Sequence, residues 1–225
     1  KAWKGTSFRS YKVKELKKHI KPIILMFLPQ ITIQIYTVLD RTMLGFILND
    51  MHQVGIYEQS QKIVKLSLTV VSALGTVMIP RIANLYAKNK IEDISKNLYN
   101  SFHLVFLIGL PIMFGIMAIA ANLIPWFLGE SFTEAIPILQ IASLLVLAIG
   151  LSNITGMQCL IPINRQKDFT ISVLAGSIIN FVGNLLLIPY FKAIGAIISS
   201  VLAEFTVTFI QLWKVKKIIE PKIAF

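Results

Sequence analysis

The chain has 225 residues, 55% of them hydrophobic and only 15% charged, with a mean hydropathy of +0.70. Soluble domains carry about 25% charged residues, so this composition excludes water as the main solvent. The formal net charge of +11 would suggest nucleic acid on a soluble protein; here its placement reads as membrane orientation, and no nucleic-acid partner is expected.

Residues 1–21 hold eight Lys or Arg against the single acid Glu15, with Tyr11, Val13, Leu16 and Ile20 at roughly helical spacing. This pattern predicts a basic amphipathic cytoplasmic segment, either lying on anionic membrane lipids or serving as a solvated connector. Six apolar spans follow, at about 22–48, 54–79, 98–121, 135–161, 169–188 and 193–213. Their lengths suit a hydrocarbon core of about 30 Å, and the absence of strict alternation argues for helices rather than barrel strands. The expected fold class is therefore all-α integral membrane, a bundle of about six transmembrane helices over 22–213 with a basic cytoplasmic tail at 214–225. A tight turn is expected around 49–53, and an interfacial corner at Pro125, Trp126 and Gly129. Pro29, Pro111 and Gly115 fall inside spans, where membrane helices tolerate them as kinks.

Segments 1–21, 81–97, 162–168 and 214–225 hold eighteen Lys and Arg, and the three intervening loops hold only Lys192. Cytoplasmic loops carry the basic excess, which predicts a multi-pass protein of the cytoplasmic membrane with both termini inside. The chain starts at Lys1 without a signal-peptide pattern, and is expected to belong to something longer.

Three cations, Arg41, Lys62 and Lys65, and three acids, Asp40, Glu58 and Glu204, fall within the spans. Each costs about 2.5–3.5 kcal/mol at mid-membrane, so each should face the protein interior or water. The helical rise puts Arg41 and Lys62 at one depth, roughly 10–12 Å below the outer edge, with Lys65 a turn deeper. Glu58, Lys62 and Lys65 share a face. The expectation is an anion-binding ladder; Asp40 with Lys62, or Glu58 with Lys62, also reads as a neutralising pair, and Asp40, Glu58 and Glu204 as ion-coupling acids. In-span amides at Gln30, Gln34, Gln59, Gln61, Asn153, Gln158, Asn180 and Asn184 suit either sugar hydroxyls or interhelical hydrogen bonds. Gly176, Asn180 and Gly183 read as a packing seam. No HExxH, GxSxG or P-loop pattern is present, His19, His52 and His103 are scattered, and Cys159 stands alone. No enzyme activity, metal or cofactor is expected.

The segments DRTMLG (40–45), VGIYEQSQKIVKLS (54–67), VMIPRIANLYAK (77–88) and NFVGNLLLIPYFKAIGAIISSVLAE (180–204) together closely resemble the polysaccharide transporter family. These are the repeat-unit flippases of the multidrug/oligosaccharidyl-lipid/polysaccharide exporter superfamily. The resemblance implies one lobe, the second, of a two-lobe exporter, with the N-terminal lobe or a second subunit as partner. The implied function is flipping of undecaprenyl-pyrophosphate-linked oligosaccharide for capsule, exopolysaccharide or O-antigen assembly, with a polysaccharide polymerase and a chain-length regulator as further partners. It also assigns Arg41, Lys62 and Lys65 to the pyrophosphate; Gln34 and Gln59 are the candidate sugar contacts. Three other readings remain open: a cation-coupled multidrug or small-molecule antiporter, which three buried cations disfavour; a membrane glycosyltransferase or polymerase, which short external loops disfavour; and a structural membrane subunit without substrate, which leaves the six in-span charges unexplained.

Overall fold

The computed structural model describes Ile31, Gln34 and residues 38–223, with the side chains of Leu74, Thr76 and 217–223 left aside. The expected basic segment 1–21 and most of the first span lie outside the described residues.

Every described element is helical. Helix α1 (38–48) ends at Asn49, whose φ of 50° turns the chain. Asp50 then caps α2 (Met51–Ala87), its carboxylate accepting from the His52 amide at 2.9 Å. This cap satisfies one of the orphan donors at a helix start. The expected basic loop 81–97 is mostly helical: α2 runs on to Ala87, and α3 (Ile91–Leu128) begins after a turn at 88–90. At 37 residues α2 is about 55 Å long, well beyond the hydrocarbon core. Its charged end, with Arg81 and Lys88 exposed, therefore continues as helix into the aqueous phase. Glu92 and Asp93 lie in the first turn of α3, where the helix dipole favours acids. Gly129, at φ 94°, ends α3 beside an 80%-exposed Trp126, so the chain turns where a corner is expected.

The fourth span is built from α4 (Ala135–Ala142), α5 (Leu144–Ser152) and a π-helical segment (Asn153–Leu160). Half of its apolar window is buried, against 19% for α2, so this span is the central post around which the others stand. Residues 166–223 form two helices, α6 (166–191) and α7 (193–223), separated only by Lys192 at φ 52°, ψ −133°. The expected fifth and sixth spans are thus joined by a single non-helical residue. They form an antiparallel hairpin, because Gly176 lies against Val207 and Ala203, and Gly183 against Ser199. The small residues at 176 and 183 act as the expected seam, letting two backbones approach.

The chain is an all-α, multi-pass membrane protein. The described residues contain five of the expected crossings and the end of the first. Large apolar side chains such as Leu66, Leu107, Ile178, Leu186 and Phe209 are more than half exposed, as suits a surface bathed in lipid. The buried core instead runs through Leu44, Ile56, Val64, Ile138, Leu139, Ile154 and Ile197.

A Cβ at Gly183 would sit 2.7 Å from Ser199 Oγ and 3.0 Å from its Cβ. Gly183→Val is therefore expected to pry α6 from α7 and cost about 1–3 kcal/mol by overpacking. A lowered midpoint of thermal unfolding in detergent is the readout, and an unchanged midpoint would refute the close approach.

Candidate functional site

Helices α1, α2, α5, α6 and α7 and the π segment enclose a cavity of about 490 Å³, a size suited to a small-molecule headgroup. Its walls differ in chemistry. The α1–α2 wall carries Arg41, Glu58, Lys62 and Lys65; the facing wall carries Asn153, Met157, Phe169 and Gln211.

Arg41 and Lys62, expected at one depth on adjacent helices, do meet. Glu58 Oε1 lies 3.3 Å from Arg41 Nη1 and 3.5 Å from Lys62 Nζ. Of the two neutralising pairs considered, Glu58 with Lys62 forms, whereas Asp40 bonds elsewhere. The side chains of Arg41, Lys62 and Glu58 are 38%, 57% and 36% exposed. Pairs this open contribute no more than about 1 kcal/mol each, so an incoming anion with two or more charges can displace Glu58. Lys65 lines the same cavity, as do Gln34 and Glu204; Gln59 does not.

Asp40 is withdrawn from this cluster, only 2% exposed. Its Oδ1 accepts from Asn184 Nδ2 at 2.6 Å, and its Oδ2 from Tyr57 Oη at 2.7 Å and Ser200 Oγ at 2.8 Å. Gln61 donates to Tyr57 Oη at 3.1 Å, and Asn180 to Ser200 Oγ at 3.4 Å. One carboxylate thus ties α1 to α2, α6 and α7, and among the described residues it makes no salt bridge. These three donors replace the water that the buried carboxyl group has lost. Asn184 Oδ1 is buried in this cage without a hydrogen-bond partner.

Tyr57, Ser200 and Gln211 went unnoticed in the sequence, since a lone Tyr, Ser or Gln in a span carries no pattern. Asn180 and Asn184 were visible as an i, i+4 amide pair, but their joint partner on α1 was not. On the facing wall, Gly156 lets the Phe169 ring and Gln211 Nε2 approach; a Cβ there would lie 2.5 Å from the ring and 3.0 Å from the amide. Thr155 Oγ1 donates to Gln211 Oε1 at 2.7 Å, and Gln211 Nε2 donates to Ser172 Oγ at 3.0 Å.

The helical bundle thus holds a cavity with a cluster of cations and Glu58 on its α1–α2 wall and mostly neutral side chains, with Glu204, on the other. The chain belongs to the polysaccharide biosynthesis protein family, which matches residues 6–137. It is 25% identical over 191 residues to a protein of Escherichia coli (strain K12) that carries the name of an O-antigen transporter, covering 85% of this chain and 46% of that one. It is 23% identical over 168 residues to a Haloferax volcanii protein named as the low-salt glycan biosynthesis flippase Agl15, covering 75% and 35%. An uncharacterized membrane protein of Methanocaldococcus jannaschii is 26% identical over 148 residues, covering 66% and 29%. The chain spans less than half the length of these curated relatives. No solved structure matches it.

Proposed function

We propose that the chain is one lobe of a flippase that carries lipid-linked oligosaccharide across the cytoplasmic membrane for surface polysaccharide assembly, with a pyrophosphate-linked undecaprenyl carrier as substrate. The observation that carries this reading is the Arg41–Glu58–Lys62 cluster with Lys65 on one wall of the cavity, in a chain of a polysaccharide biosynthesis family. The lipid tail stays in the bilayer while the headgroup passes a polar interior. Arg41 and Lys62 donate charge-assisted hydrogen bonds to the pyrophosphate, and Glu58 is the counter-ion it displaces. An inside-negative potential of about 100 mV favours moving a dianion outward by about 2.3 kcal/mol per charge. Asp40, caged by neutral donors, serves as the ion-coupling acid. The N-terminal lobe comes from the same protein or its place is taken by another subunit, both ends of this chain face the cytoplasm, and a polymerase and chain-length regulator act downstream.

The test uses the purified chain in nanodiscs with two amphiphiles of opposite charge, geranyl pyrophosphate and tetraphenylphosphonium. Saturable binding of geranyl pyrophosphate, competed by inorganic pyrophosphate, is expected. Binding of the phosphonium cation alone would overturn this reading in favour of a cationic-drug antiporter.

A further inference from the structure

The cavity changes character one turn beyond the cations. On α2 the face that carries Glu58, Lys62 and Lys65 continues to Leu68, and on α7 the face that carries Ser200 and Glu204 continues to Val207; all of these line the cavity. Leu145 and Ile149 of α5 and Val173 of α6 line it as well. Three contacts gather these side chains around one level. Thr208 Oγ1, next to Val207, donates to the Ala148 carbonyl at 2.9 Å. A Cβ at Gly150 would lie 3.1 Å from Val71 Cγ1, one turn past Leu68, and Gly176, one turn from Val173, lies against Val207. Leu68, Leu145, Ile149, Val173 and Val207 thus form an apolar collar beside the ionic cluster. Its far end is closed at Gln211, about 6 Å past Val207 by helical rise, whose amide is already bonded at both ends, to Thr155 and Ser172. A sugar hydroxyl in the collar would give up water and find no partner. Hydrocarbon there gains by leaving water.

We infer that this collar is a subsite for the prenyl group next to the phosphate, so that the first branched five-carbon unit of the carrier lipid enters the cavity together with its headgroup. Charge and collar are contiguous along α2, from Lys65 to Leu68. One ligand must therefore present an anion and a hydrocarbon group side by side, and a prenyl pyrophosphate joins the two through a single oxygen. An inorganic anion would leave the collar empty, and an apolar cation would meet Arg41, Lys62 and Lys65 at its edge. This inference rests on the flippase reading and refines it: the tail beyond the first unit is the part that stays in the bilayer.

The test compares two water-soluble probes on the purified chain in nanodiscs, methyl pyrophosphate and dimethylallyl pyrophosphate, which carry the same headgroup on one carbon and on five. The gain, read as the ratio of their affinities, is expected to be about tenfold or more. Leu68→Ser should remove most of it, and Val207→Thr, which keeps the shape and adds a hydroxyl, should remove part. Methyl pyrophosphate does not reach the collar, so its binding shows that the variants are folded. Arg41→Gln should weaken both probes equally and keep their ratio. No gain in the parent chain, or a gain that both collar variants keep in full, overturns the subsite and leaves the pyrophosphate site standing. If neither probe binds the parent chain, the flippase reading falls and the subsite with it.

Discussion

The Arg41→Gln/Lys62→Gln double variant is expected to bind geranyl pyrophosphate at least a hundredfold more weakly than the parent chain. Both cations reach one oxygen of Glu58, at 3.3 and 3.5 Å, so a phosphate oxygen entering there would meet both. Hydrogen bonds to charged groups contribute about 1.5–3 kcal/mol each, and losing two multiplies to a hundredfold or more. Glu58→Gln should act in the opposite direction and tighten binding several-fold, because the site no longer carries its own competing carboxylate. Titration calorimetry in nanodiscs measures both. Unchanged affinity in the double variant would mean that the cluster is only a structural ion-pair network.

Asp40→Ala should be among the most damaging single substitutions, at about 3–5 kcal/mol, while Asp40→Asn should cost less than about 1 kcal/mol. Removing the carboxylate takes from Tyr57 Oη, Ser200 Oγ and Asn184 Nδ2 the acceptor they share. Ser200 keeps the Ala196 carbonyl and Asn184 keeps Asn180 Oδ1, but the buried Tyr57 hydroxyl loses its short bond, at about 1–3 kcal/mol, and the cavity left by the side chain adds to that. Asparagine keeps one oxygen for the two hydroxyls. Its new N–H₂ meets Asn184, whose amide can turn to offer the Oδ1 that now lacks a partner. Thermal unfolding in detergent separates the two variants. If Asp40 couples transport to an ion gradient, the well-folded Asp40→Asn variant should also lose gradient-stimulated flipping in proteoliposomes containing the full two-lobe assembly. Retained stimulation would leave Asp40 a purely structural clasp of α1, α2, α6 and α7.

The membrane class was legible because hydrocarbon is an unforgiving solvent. A backbone that crosses it must satisfy its own hydrogen bonds, so long apolar runs declare their helices directly. The same expense made Arg41, Asp40, Glu58, Lys62, Lys65 and Glu204 conspicuous against 55% hydrophobic residues. Helical periodicity set Glu58, Lys62 and Lys65 on one face, and they line one cavity. Element ends were less legible, since helices α2 and α3 run past the membrane edge, where the apolar signal stops but backbone hydrogen bonding does not.

What the sequence alone determined, then, is the class of fold, the approximate spans and which side chains could not face lipid. The tertiary structure decided which of those residues face one another. Periodicity relates residues on one helix, as it did Glu58 and Lys62, and is silent across helices, so only the packed bundle could bring Arg41 to Glu58 and give Asp40 to Tyr57, Asn184 and Ser200. It likewise left Gln59 outside the cavity and brought Asn153, Phe169 and Gln211 to its far wall. The reason is that a helix's rotation about its axis, and hence the face it turns inward, is set by close contacts such as Gly176 on Val207 and Gly156 on Phe169, which join residues dozens of positions or only a few turns apart with no local pattern to announce them.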